Sequence, residues 1–143
     1  MTIKKQEFYE GAALHLLIRS DLVKTIRYDA PFFWLNETLA AYLKYSTKGT
    51  SPWSFTFAPH EHGHLNRTSS QSRVFIGLIC GSDGVAAIDS DEFMSIAPSR
   101  SRSIHLSCAR LHGEQYEVSG PDGLLDRKIP PSRWRRIANE VTS

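Results

Sequence analysis

The sequence predicts a single α/β domain with a mixed central β-sheet of five or more strands flanked by helices. Three observations carry that reading. Apolar runs of strand length recur at 25–57, 73–80, 85–88 and 104–110, separated by turn-forming residues. Helical apolar spacing appears near both ends, over 4–19 and 132–141. A chain of 143 residues with 41% hydrophobic and 22% charged residues suits one core, and no repeat or long linker divides it. No apolar run approaches the ~20 residues that cross a bilayer, so no membrane partner is expected. The N-terminal MTIKKQEFYE leads into acidic and aromatic residues rather than an apolar signal core, which makes the cytoplasm the expected location.

In the first predicted helix, Phe8, Ala12 and Leu16 recur at four-residue spacing, as do Tyr9, Ala13 and Leu17, with Leu14 and Ile18 widening the face. Glu7 and Glu10 stand near its start, where the macrodipole favours carboxylates. Glu10 borders the apolar stripe and reads either as a dipole partner or as a site carboxylate. The stretch 25–57 reads as three consecutive strands. Asn36-Glu37 reads as a tight turn between FFWL and TLAAYL. With those two residues as the loop, Leu35 faces Thr38 and Asp29 lies directly opposite Lys44. Strand alternation then puts Asp29, Tyr42 and Lys44 on one face. Lys48-Gly49 and Ser51-Pro52 mark the next turn, and Trp53, Phe55 and Phe57 alternate as a half-buried strand.

Residues 59–72 begin with a proline and predict a short helix and a loop. RVFIGLIC (73–80) predicts a central strand, and residues 85–88 another beyond the Gly81–Gly84 turn. Asp89 caps a short helix through Ile96. A Ser/Arg loop (98–103), strands at 104–110 and 116–119, a Gly120–Gly123 turn and a last helix, SRWRRIANEV, complete the order.

Several chemistries are excluded by context. His60-Glu61-His62-Gly63-His64 matches H-E-x-x-H literally, but it sits in a polar stretch without the apolar periodicity of a zinc-protease helix. Surface metal binding is the stronger expectation for this cluster. Cys80 and Cys108 each lie in an apolar run, which predicts small buried thiols rather than nucleophiles or a disulfide. The Gly81–Gly84 turn lacks the lysine and length of a phosphate loop. The formal net charge of +2 is weak, yet Arg127, Lys128, Arg133, Arg135 and Arg136 fall within ten residues. That stripe reads as a phosphate-binding surface or as a solvated terminal helix.

The order of elements, together with Asp29 on one strand and Lys44 on the next, resembles the restriction-endonuclease-like, or PD-(D/E)XK, nuclease superfamily. The matching stretches are EFYEGAALHLLI, IRYDAPFFWLN and TLAAYLKYSTKG, followed by SPWSFTF and VFIGLIC, over roughly 5–96. The resemblance implies a restriction-endonuclease-like core and a divalent-metal-dependent endonuclease acting on DNA or RNA. Asp29 and Glu10 would hold Mg²⁺ or Mn²⁺, and Lys44 would stabilise the attacking hydroxide or the scissile phosphate. Lys48 and the Arg127–Arg136 stripe would hold the backbone. The sequence departs from the motif at Tyr42, where the family carries a carboxylate and where tyrosine cannot replace one on a hard cation. The expected activity is therefore impaired. The rival reading is a non-catalytic accessory or immunity-type protein, with Trp53 and Trp134 exposed for a protein partner or a second copy of the chain.

Overall fold

The structure, a computed structural model, describes residues 2–99 and 101–140. Its elements are α1 (Lys5–Ile18), β1 (Ile26–Asp29), β2 (Phe32–Leu35), β3 (Leu39–Ser46), β4 (Trp53–Phe57), α2 (Pro59–Ser69), β5 (Arg73–Cys80), β6 (Gly84–Asp89), α3 (Ser90–Ile96), β7 (Ile104–Ala109), β8 (Glu117–Gly120) and β9 (Gly123–Leu124). A 3-10 helix (Pro131–Arg136) then runs into α4 (Ile137–Glu140). Of the predicted segments, Arg100 of the Ser/Arg loop and Val141 of the last helix lie outside the described residues.

The fold is mixed α/β, as predicted, with the strands divided between two sheets. One has five strands in the order β1-β2-β3-β5-β6, and the other four in the order β4-β7-β8-β9. β3 and β5 pair in parallel from Leu39↔Arg73 to Ser46↔Cys80, while the other neighbours are antiparallel. A parallel pair needs a crossover, and here the chain leaves the first sheet, contributes β4 to the second, and returns through α2. β5 is buried on both faces, which explains its continuous apolar run; β4 alternates buried and exposed residues, as its sequence does.

The five-stranded sheet divides two cores. On one side Phe32, Tyr42 and Ile76 pack with Phe57 and Leu106 of the second sheet, with Tyr116 just before β8 and with Phe93 of α3. On the other, Leu35, Phe75 and Ile79 pack with Ala13 and Leu17 of α1 and with Trp134 and Ile137. α1 buries a narrower stripe than its periodicity suggests, since Phe8 and Ile18 are exposed. Among the described residues no helix is long and apolar enough to cross a membrane.

Three expectations are corrected. The stretch 25–57 holds four strands, because the chain turns at Ala30-Pro31 and divides the first predicted strand into β1 and β2. Proline cannot donate to a ladder, so Pro31 is a natural break. The hairpin register is also shifted: Leu35 faces Leu39, not Thr38, and residues 36–38 form the connection. Asn36 and Glu37 both take positive φ, and the Thr38 N–H donates to the Leu35 carbonyl. Because the turn at Ala30-Pro31 folds β1 back on β2, Asp29 stands across from Phe32, not Lys44. Finally, Trp53 and Trp134 are both buried and cannot serve as exposed interface anchors. Trp134 Nε1 donates to the Ala13 carbonyl at 2.9 Å, which fastens the C-terminal segment to α1.

Candidate functional site

The segment that follows Pro59 brings a carboxylate, Glu61, that the predicted site does not include. Proline at the start of α2 sets the helical φ, and Glu61 then falls at the third helical position. Its Oε2 reaches back to accept the Ala58 N–H at 2.8 Å, one of the backbone donors a helix start leaves unpaired. Its Oε1 accepts both the Tyr42 hydroxyl at 2.6 Å and the Lys44 ammonium at 2.8 Å. Tyr42 and Lys44 project from the same face of β3, and the crossover from β3 to β5 brings the start of α2 over that face. Lys44 also lies 5.0 Å from the centre of the Phe57 ring.

The electrostatics follow from this geometry. Burial alone would raise the Glu61 pKa, but hydrogen bonds from Lys44, Tyr42 and the Ala58 N–H outweigh it and hold the carboxyl below its usual range. Burial, and then the hydrogen bond to Glu61, pushes the Tyr42 hydroxyl far up, so it is a neutral donor. Burial raises the Glu10 carboxyl above its usual value, against the opposing hydrogen bond from Gln6.

These groups border a cleft of about 300 Å³ whose lining includes Gln6, Glu10, Tyr28, Phe33, Tyr42, Lys44, Tyr45 and Glu61. The cleft exists because β2 runs beside β3 only from Leu39 to Ala41, whereas β5 accompanies β3 throughout. Breaking the first strand at Pro31 leaves the second half of β3 without that neighbour. Glu10 and Lys44 thus border one cleft, but Asp29 does not line it. Asp29 is largely exposed and pairs with Arg27 at 3.8 Å.

The basic stripe folds into two places. Arg127, Lys128, Arg133 and Arg136 line an open cleft of about 750 Å³ with Glu92, Gln115, Asn139 and Glu140. Arg135 instead lines a separate hollow with His15 and Arg19. Lys48 lines neither, and its ammonium donates to the Pro52 carbonyl at 3.0 Å. Within the larger cleft the cations are not equivalent. Arg133 is mostly buried and holds Glu92 at 2.6 Å, Glu140 at 3.2 Å and Asp89 at 3.5 Å, which fastens the 3-10 helix to β6 and α3. Lys128 pairs with Glu114 at 3.4 Å. Arg136 donates to Ser132, and among the described residues no carboxylate pairs with Arg127, Arg135 or Arg136.

No family model, no curated protein and no solved structure matches this chain.

A hard divalent cation wants several anionic or carbonyl oxygens in a near-octahedral set. Glu61 has both oxygens engaged, Tyr42 keeps its proton, and Asp29 lies outside the cleft. Among the described residues that leaves Glu10 as the one carboxylate there without a cationic partner. The donor set does not fit Mg²⁺ or Mn²⁺. Among the described residues no group of three or more His, Cys, Asp or Glu side chains is placed to hold a metal ion. In the histidine cluster, His62 is buried with Nε2 2.7 Å from the Ala97 carbonyl, while His60 and His64 meet edge to face on the surface of α2. Glu61 is legible in the sequence only as a helix-start signal: a proline followed two positions later by a glutamate that can reach back to the chain before the helix.

Proposed function

We propose that the chain binds nucleic acid on a nuclease-like core whose cleavage machinery is incomplete. The observation that carries the binding half is the convergence of Arg127, Lys128 and Arg136 on one open cleft. Guanidinium groups present planar forks of donors that match phosphate oxygens, and those of Arg127 and Arg136 form no ion pair with a carboxylate among the described residues, although Glu92 and Glu140 line the same cleft. Contacts of this kind fix a backbone without reading its sequence. The nuclease-like half is supported by the order α1-β1-β2-β3-β4-α2-β5, in which β4 joins the second sheet and β3 and β5 pair in parallel, and by Lys44 beside Glu10. Hydrolysis is not part of the proposal, because the carboxylates the reaction would need do not assemble.

Fluorescence anisotropy with labelled DNA and RNA oligonucleotides tests it. Binding should appear at low salt and weaken steeply as salt rises. The double variant Arg127→Ala/Arg136→Ala should reduce the slope of log affinity against log salt by about 2, one for each phosphate no longer held. Lys44→Ala should leave binding unchanged, since its ammonium is engaged by Glu61. Absence of binding at low salt, or binding that ignores the double variant, overturns the proposal.

A second reading, a protein interface, is favoured by one observation. The smaller cleft is rimmed by exposed aromatic rings: Tyr28 is 61% and Tyr45 37% exposed, and they pack on Phe33 and Tyr9 respectively. Rings of this kind are enriched at interfaces. A protein partner, or a second copy of the chain, that is released by Tyr28→Ala but not by salt would favour this reading.

A further inference from the structure

The only two cysteines of the chain sit on different sheets and meet in the core between them. Cys80 ends β5 in the five-stranded sheet, and Cys108 lies in β7 of the four-stranded one. Both are free and fully buried, and their Sγ atoms are 3.6 Å apart, which is van der Waals contact. The strands that carry them are held by separate hydrogen-bond ladders, Cys80 opposite Gly84 and Ser46, and Cys108 opposite Trp53 and Val118. Thiols placed at random over two sheets would not be expected to touch. A disulfide needs its sulfurs about 2 Å apart, so the remaining approach is about one and a half ångströms.

We propose that Cys80 and Cys108 form a latent disulfide site that ties the two sheets together when the chain folds in the presence of a small-molecule disulfide. The site is independent of the nucleic-acid reading. Two exchange steps close it. One cysteine thiolate attacks a sulfur of the small disulfide, forming a mixed disulfide and releasing one small thiolate. The second cysteine thiolate attacks the protein sulfur of that mixed disulfide, forms the Cys80–Cys108 bond and releases the other small thiolate. The two cysteine protons end on the released thiols, the cysteines are oxidised by two electrons, and the small disulfide is reduced by two.

Burial determines when this can happen. The folded core excludes the oxidant, and the contact with Cys108, followed by burial, pushes the Cys80 thiol well above its usual range. The reduced protein, once folded, should therefore resist oxidation, whereas a chain still folding should be captured. The cross-link would limit the freedom of the unfolded chain over the loop between the two positions, which raises stability if the native geometry accepts it.

The test is to refold the whole chain from urea in a buffer of oxidised and reduced glutathione. Expected are a monomer lighter by two hydrogen atoms, loss of both thiols together, a cross-linked peptide pair containing Cys80 and Cys108, and a higher unfolding midpoint that a phosphine reductant reverses. Cys108→Ala, with a single thiol, should give no such cross-link. Two free thiols after refolding, glutathione retained on either cysteine, disulfide-linked dimers, or a cross-linked form with a lower midpoint would each overturn the proposal.

Discussion

Glu61 joins three parts of the molecule through one carboxylate: the start of α2, the hydroxyl of Tyr42 and the ammonium of Lys44. Removing it leaves a partly buried lysine without a partner and a helix-start N–H unpaired. Exposed ion pairs contribute under about 1 kcal/mol, and breaking a fully buried pair costs about 3–5 kcal/mol. The Lys44 and Glu61 side chains are 21% and 17% exposed, between those limits. Glu61→Ala should therefore cost about 2 kcal/mol in urea unfolding, and adding Lys44→Met should recover part of the loss. Glu10 behaves in the opposite sense. As pH rises through 4.5 the unfolded chain releases the Glu10 proton first, while the folded chain retains it because its carboxyl is raised. Native stability therefore falls as Glu10 ionises. Glu10→Gln should be more stable than the wild type at neutral pH, and this advantage should disappear below about pH 4.5; an advantage that grows at low pH would contradict the assignment. Lys44 and Glu10 are legible in the sequence as members of one site. Glu61 is not, because its residue-level signal is masked by a chance match to a zinc motif, and its partners lie 17 and 19 positions away.

At the scale of elements, the strands from β3 onward are readable because their runs are short and bounded by Gly, Pro or Asp. The first hairpin is not. Its apolar residues continue through Ala30-Pro31 without a gap, so pattern alone joins β1 to β2, and a one-residue change in loop length moves every cross-strand partner. The division into two sheets is also illegible, since pairing of β4 with β7 is a long-range choice that alternation cannot reveal. The C-terminal segment shows the same limit: its arginines suggest a solvated helix, yet Trp134 and Ile137 are buried beneath them. A Cβ at Gly77 would lie 2.9 Å from Leu43 Cδ2 and from Trp134 Cζ3, so β5 accepts the 3-10 helix only with glycine there. Gly77→Ala should cost about 1–3 kcal/mol by overpacking. It should also weaken oligonucleotide binding, because Arg133 and Arg136 ride on the displaced segment; thermal unfolding and anisotropy on the same sample would check both.

For the whole molecule, the two clefts make different demands. The smaller one has its lysine engaged by Glu61 and is rimmed by aromatic rings; the larger one offers two guanidinium groups without carboxylate partners among the described residues. A net charge of +2 would not by itself draw a polyanion, so binding rests on where the fold gathers its cations. The most direct check is an amide NMR titration of the full chain with a mixed-sequence oligonucleotide at low salt. Shifts concentrated on Arg127, Lys128, Arg136 and Asn139, and reversed by added salt, are the predicted result. Shifts centred instead on Gln6, Glu10, Tyr28 and Tyr45, or no shifts at all, would contradict it.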